Sequence, residues 1–184
     1  MVNGGEAVGV VLAAGAGTRF GGPKVLAAEG NWLHSAVQAL ADGGCGSVIV
    51  VLGAAVVAVP SPARAVVAED WADGMSASLR AGLTAAGDGE AQAAVLHLVD
   101  IPDVGAEVVH RVLTAMRDAP SGLARAHYRG VPGHPVAIAR EHWPALRETL
   151  SGDRGARDYL RGRDVVAVEC GDLAGGADID EPLR

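Results

Sequence analysis

Residues 7–24 read Ala7-Val8-Gly9-Val10-Val11-Leu12-Ala13-Ala14-Gly15-Ala16-Gly17-Thr18-Arg19-Phe20-Gly21-Gly22-Pro23-Lys24. The run Ala7–Leu12 is apolar and rich in β-branched residues, without polar alternation. That predicts a strand buried on both faces, as in a parallel sheet. It ends abruptly in a glycine-rich loop at the C-terminal end of the strand, where open α/β sheets bind ligands. Gly15 and Gly17 lack Cβ atoms, so backbone N–H groups there can approach phosphate oxygens closely. Arg19 and Lys24 add charge and directional donors. They are the only Lys or Arg residues before Arg64. An acidic chain therefore places both cations of its first third in one glycine loop, which a plain tight turn does not require. A Walker A loop is excluded, because Pro23 separates Gly22 from Lys24 and Val25 follows the lysine. A dinucleotide fingerprint fails too: Phe20 stands at the third glycine, and Gly21, Gly22 and Pro23 would break a helix opening there. A nicotinamide-dependent oxidoreductase fails on the same spacing.

Outward from the loop, strands and helices alternate. Apolar spacing predicts a helix over 33–41, a strand at Ser47–Leu52 and another at Arg64–Glu69. A helix over Met75–Ala86, a strand at Ala93–Val99 that stops at Asp100, and an amphipathic helix over Ala106–Met116 follow. Leu123–Tyr128, Pro135–Ala139 and Val165–Glu169 are shorter strands, with helical patterns at Glu141–Leu150 and Asp153–Leu160. This alternation predicts βαβ units and a mostly parallel sheet covered on both sides. No linker or repeat divides residues 1–184, which are expected to form a single domain.

Hydrophobic residues make up 49% of the 184 and charged residues 20%, enough for a core and too apolar for disorder. The formal net charge is −7, which argues against nucleic acid as a partner. The N-terminus has no basic region before its short apolar run, and no segment is long enough to span a bilayer. A cytoplasmic protein with no membrane partner is expected. Cys45 and Cys170 have no metal or redox spacing and are expected to be reduced thiols. His97 reads as a satisfied core histidine, and Trp32 and Trp143 as packing residues.

The loop resembles the signature of the nucleotidyltransferases that join an NTP to a phosphate. Within these it is most similar to the molybdenum cofactor cytidylyltransferase and guanylyltransferase group. Five further blocks carry the resemblance in order: Trp71-Ala72-Asp73-Gly74-Met75-Ser76-Ala77-Ser78-Leu79; Leu98-Val99-Asp100-Ile101-Pro102; Gly133-His134-Pro135-Val136; Gly152-Asp153-Arg154-Gly155-Ala156-Arg157; and Asp178-Ile179-Asp180-Glu181-Pro182. They cover nearly the whole chain. The resemblance implies a Rossmann-like three-layer α/β/α nucleotidyltransferase fold. It also implies attack by a substrate phosphate on the α-phosphorus of an NTP, with release of pyrophosphate. Both reactants are anions, so neutralisation and positioning carry the catalysis.

By this resemblance Arg19 and the amides of Gly15, Gly17 and Thr18 would cradle the triphosphate, and Lys24 would contact the α-phosphate. Leu12, Ala13, Ala14 and Gly15 would face Gly74, Met75 and Ser78 across the nucleoside. Ser76 either joins them or caps the helix. Asp100 would bind Mg²⁺, whose hard character suits carboxylates; the competing reading makes it a helix cap. Asp180, ahead of Asp178, would complete the metal site, the pair sharing one face if Ile179 lies on a strand. A solvated acidic tail is the alternative. His134, Arg154 and Arg157 would face the second substrate, with Arg157 at its phosphate. Gly133-His134-Pro135 and Pro23-Lys24 favour CTP over GTP, and a molybdopterin-type phosphate as acceptor. Two departures from the pattern stand out. Ala16 replaces a polar or basic residue of many relatives, and no helix is expected after Pro182. The same chemistry on a sugar, polyol or other small phosphate, or GTP binding in place of CTP, is the alternative. A non-catalytic nucleotide-binding chaperone of a molybdenum enzyme is a third reading. In the first reading a molybdenum enzyme would receive the product.

Overall fold

The computed structural model describes residues 6–180. The predicted opening strand is β1 (Ala7–Leu12), buried along its whole length. It is followed by α1 (Asn31–Asp42), β2 (Cys45–Leu52), β3 (Ala63–Val67), α2 (Met75–Gly87), β4 (Ala93–Leu98) and α3 (Ala106–Asp118). The second half holds β5 (Leu123–Tyr128), β6 (Val131–Ala139), α4 (Trp143–Thr149), α5 (Arg157–Leu160) and β7 (Val166–Glu169). These strands form one seven-stranded sheet in the order β3-β2-β1-β4-β6-β5-β7. All pairings are parallel except those of β6, which runs against both β4 and β5. This is the expected three-layer fold with a mostly parallel sheet.

Strand alternation divides the interior into two cores. Ala7 and Val11 of β1 pack with Val37 and Leu40 of α1 and with Val109 and Leu113 of α3. Val8 and Val10 pack on the other side with Leu79 and Leu83 of α2 and Leu146 of α4. The chain runs outward from β1 through β2 and β3, then returns to lay β4 on β1's other side. The direction of winding reverses between β1 and β4, and such a reversal opens a crevice at the strands' carboxyl ends.

The elements differ from expectation where the sequence carries glycine or proline. The pattern over Asp153–Leu160 is broken into a 3₁₀ turn at Gly152–Arg154 and the short α5, because Gly155 takes φ +53° between them. The pattern over Glu141–Leu150 splits into a 3₁₀ turn at Arg140–His142 and α4. β6 begins at Val131, four residues before Pro135, because pairing across the β5–β6 hairpin outweighs its weak alternation. A 3₁₀ segment at Lys24–Gly30, which no periodicity foreshadowed, carries the loop into α1.

Cys45 and Cys170 are both buried and free, and burial pushes the Cys45 thiol up to about 12. Trp32 packs its ring 5.4 Å from Phe20, and the Trp143 indole donates to Ile138 O. His97 is fully buried as expected, yet neither ring nitrogen has a hydrogen-bond partner. Burial outweighs the pull of Asp103 and holds the imidazole neutral, at about 4. Among the described residues, no helix is long and apolar enough to cross a membrane.

Candidate active site

The glycine loop is tied at its root to both neighbours of β1. Ala13 N donates to Val51 O at 3.0 Å, and Val99 N donates to Leu12 O at 3.3 Å. Further on, the amides of Gly21 and Gly22 both donate to Gly17 O, at 2.9 and 3.1 Å. This closes the loop around Gly17, whose φ is +59°, and a Cβ there would collide with the Gly22 carbonyl. A Cβ at Gly15 would meet nothing within 4 Å, so that side of the loop is open to a ligand. The loop walls a cleft of about 440 Å³ at the β1/β4 reversal. Leu12, Ala13, Ala14, Gly15, Gly17, Thr18, Arg19 and Lys24 all line it.

Lys24 does not point into solvent. Its ammonium donates to Asp100 Oδ2 at 2.7 Å and to Asp180 Oδ1 at 3.0 Å. The lysine and Asp100 side chains are only 15% and 17% exposed, whereas Asp180 is 50% exposed. Burial works to lower the lysine, but its two carboxylate partners outweigh this and hold it above its ordinary value. The same ammonium holds Asp180 below the usual carboxylate range. Asp100 caps no helix, since α3 begins six residues later behind Gly105. Its second oxygen, Oδ1, is buried without a partner.

Asp178 and Asp180 reach Asp100 by a route other than the expected one. The segment carrying them is not a strand. Ile179 N donates to Asp100 O at 3.0 Å, which lays the extended chain across the end of β4 with an acid on either side. One oxygen from each of Asp100, Asp178 and Asp180 lies within 4.8 Å of the others. Asp180 lines the cleft, and Asp178 does not. Glu181 and Pro182 of this block lie outside the described residues. Three carboxylates, one with an orphaned buried oxygen, fit a hard divalent cation, and the Lys24 ammonium pairs with two of them.

The far wall is the start of α2. Gly74, Met75 and Ser78 line the cleft. Ser76 does not: it is buried, its hydroxyl has no partner, and it makes no cap. It faces the core because it is one residue out of phase with the lining Met75 and two with Ser78. Gly74 has φ +104°, and a Cβ there would run into the Asp153 carboxylate and come 2.8 Å from Gly152 O. Asp153 also accepts from Met75 N at 3.3 Å. The Gly152–Arg157 block thus braces the cleft, and Asp153 lines it along with Trp71 and Leu98. Sequence reasoning gave Asp153 no role, because its target amide lies 78 residues away in the chain.

His134 and Arg157 are absent from the lining of this cleft. His134 lies in β6, next to Gly133, and Arg157 opens α5. Arg125 Nε donates to Gly133 O at 2.8 Å, and Tyr128 Oη donates to His134 O at 2.6 Å. Burial first, then the nearby His97, Arg125 and Arg157, push the His134 imidazole down to about 3.

The chain is similar to known proteins in sequence and in fold. A family model described as MobA-like NTP transferase domain matches residues 9–168. The nicotine blue oxidoreductase of Paenarthrobacter nicotinovorans is 38% identical over 189 residues, covering 94% of this chain and 91% of its own. The crystal structure of Rv0371c from Mycobacterium tuberculosis H37Rv is 25% identical, with a TM-score of 0.74 over 96% of this chain and 94% of that one. A second crystal structure of Rv0371c is a complex with manganese, 24% identical, with a TM-score of 0.71 over 95% of this chain and 94% of that one. A nucleotidyl transferase from Methanothermobacter thermautotroptrophicus shares the fold with a TM-score of 0.75 at 20% identity, over 97% and 93% of the two chains. With a match that runs from β1 into β7, the chain is an enzyme of the MobA-like NTP transferase domain family.

Proposed function

We propose that the chain is a Mg²⁺-dependent nucleotidyltransferase that transfers CMP from CTP to a molybdopterin-type phosphate. The observation that carries this reading is the Lys24 ammonium held between Asp100 and Asp180 at the mouth of the glycine loop. A cation-binding acid cluster and a phosphate-binding loop converge there on one cleft.

In this reading the amides of Gly15–Thr18 and the exposed Arg19 side chain hold the β- and γ-phosphates, and Lys24 turns from the carboxylates to the α-phosphate. An oxygen of the acceptor phosphate attacks the α-phosphorus. The bond from that phosphorus to the oxygen bridging to the β-phosphate breaks, and pyrophosphate leaves with the electron pair. Negative charge shifts on the α-phosphate during attack, so a preorganised ammonium there lowers the barrier. Asp100, Asp178 and Asp180 would hold the divalent ion, which supplies charge neutralisation between the two anions. That a structure of Rv0371c is a complex with manganese is in keeping with a divalent ion. Gly74, Met75 and Ser78 flank the base opposite Leu12 and Ala13. CTP is favoured by the Pro23-Lys24 and Gly133-His134-Pro135 pattern. The chain acts in the cytoplasm as a single domain, and a molybdenum enzyme receives the product.

Pyrophosphate release from each NTP in Mg²⁺ and in Mn²⁺, with and without molybdenum cofactor, tests this. Release that requires both CTP and the cofactor is expected. Release with a sugar or polyol phosphate, or with GTP, would keep the chemistry and replace the substrate. No release with any pair would leave the chaperone reading.

A second reading rests on the 38% identity to a protein named an oxidoreductase. The cleft, whose glycine spacing departs from the dinucleotide fingerprint, would then have to hold a reduced cofactor in another way, beside a reducible acceptor. Oxidation of NADH or NADPH by the purified chain, with no pyrophosphate formed from any NTP, would favour it.

A further inference from the structure

β3 is one of the two edges of the sheet, and among the described residues it pairs with β2 alone. Just past the strand, Ala68 N donates to Leu52 O of β2 at 2.8 Å. Main-chain groups of successive strand residues point to opposite sides, so those of Arg64 and Val66 also face β2, and those of Ala65 and Val67 face away from it. Ala65 and Val67 therefore offer N–H and C=O groups along the open side, and both are exposed. Edge strands are commonly blunted by lysine, proline or a bulge. Ala65–Ala68 holds no charge and no proline, and its register on β2 is unbroken. The crossover that brings the chain from β2 to β3, residues 53–62, has no charged residue either. The large apolar side chains exposed among the described residues are Leu26, Val56, Val67, Met75 and Val131. Two of these, Val56 and Val67, sit on this crossover and its strand. On the α2 side the edge opens on a groove of about 520 Å³, whose lining includes Arg64, Val66, Ala77, Ala81 and Ala85. Small side chains there leave the edge open from that face as well.

Charge says what fits this edge. Arg64 stands near the start of the strand, and Glu69 and Asp70 follow its end. All three are exposed, and none forms an ion pair among the described residues. The Arg64 guanidinium donates to Ala85 O at 2.8 Å, which holds it on the α2 side of the strand. A strand that is positive at its start and negative at its end is complementary to itself run backwards. With Val66 level with Val66 of a second copy, Ala65 of each faces Val67 of the other. Those pairs exchange both of their N–H···O bonds, twice by symmetry. Arg64 of each copy then lies diagonally beside Asp70 of the other. A parallel second copy would set Arg64 against Arg64 and acids against acids.

We propose that β3 is the interface of a twofold homodimer, in which two β3 strands pair antiparallel and the sheet runs on from one copy into the other. The strands reverse across the axis, so the two clefts, at the carboxyl ends of the strands, open at opposite ends of the joined sheet. The interface is independent of what the clefts bind.

Sedimentation equilibrium of the full chain over the micromolar range tests this, and a dimer is expected. Val67→Lys should weaken it at least about tenfold, since the pairing would enclose an ammonium at the edge. Asp70→Arg should weaken it several-fold, and adding Arg64→Asp to that variant should restore it, because the exchange leaves each cation beside an acid. Amide hydrogen exchange on the wild type needs no variant: Ala65 and Val67 should exchange slowly when concentrated and quickly when diluted. A monomer throughout, a dimer indifferent to Val67→Lys, or equally fast exchange of both amides at the two concentrations overturns the interface. A charge exchange that fails to restore the dimer overturns the antiparallel pairing.

Discussion

Replacing Lys24 by Met should raise the affinity of the free protein for a divalent cation and at the same time abolish turnover. Met keeps the length of the buried stem and removes only the charge. In the free protein the ammonium and an incoming metal compete for the same oxygens, since Lys24 Nζ sits 2.7 Å from Asp100 Oδ2 and 3.0 Å from Asp180 Oδ1. Both members of the first pair are mostly buried, and a hydrogen bond to a charged group of this kind contributes about 1.5–3 kcal/mol. The half-exposed Asp180 adds little to this, because solvent screens it. A metal that no longer displaces the lysine should therefore bind about ten- to a hundredfold tighter. Asp180 returns toward its ordinary range without Lys24, but at pH 7.5 it stays ionised, so protonation does not mask the gain. Mn²⁺ binding followed by electron paramagnetic resonance, without nucleotide, measures this directly. Pyrophosphate release should fall by about 10²–10³ in the same variant, the usual cost of one preorganised charge contact. Unchanged or weaker Mn²⁺ binding would refute the competition, and activity above roughly a third of wild type would refute the catalytic role.

Four further outcomes are expected. Asp100→Asn should lose metal-dependent activity and Mn²⁺ binding, because an amide is a poor ligand for a hard cation; persistent activity would sink the metal role. Gly74→Leu should block nucleotide binding, since its side chain would collide with Gly152 O and displace Asp153 from the cleft wall. In the wild type, CTP should compete with a bound analogue at least tenfold better than GTP, about 1.4 kcal/mol that one or two base-edge hydrogen bonds can supply; equal competition removes the cytidylyl assignment. His97 gives a pH dependence of stability. Its imidazole titrates near 6.5 in the unfolded chain and, held down by burial, at about 4 in the folded one. The unfolded state binds the extra proton between those values, so stability is intact above about pH 6.5 and is lost as pH falls toward 4. His97→Leu removes two unpartnered buried nitrogens, so it should lose about 2 kcal/mol less than wild type between pH 7.5 and pH 5. Urea unfolding at both pH values checks this, and parallel losses would count against it.

The run Ala7–Leu12 and the loop after it were legible in the sequence because their determinants are local. β-branched residues without alternation make a doubly buried strand, and glycine spacing with two cations marks a loop for anions. The helices α1, α2 and α3 were equally open to reading, since their apolar faces repeat every turn. Tertiary structure alone decided the rest. Lys24 meets Asp180 across 156 residues, and nothing in either neighbourhood specifies the distance between them. Asp178 and Asp180 converge on Asp100 through one backbone hydrogen bond of Ile179, not through the strand that alternation suggested. The reversed direction of β6, the break at Gly155 and the inward turn of Ser76 follow from pairing and packing against distant elements. Arg125 looks like an ordinary strand residue until the hairpin brings Gly133 O to its Nε. Periodicity and turn chemistry act over a few residues and survive in the sequence. The coincidence of charges in space depends on sheet order and register, which the folded chain alone sets.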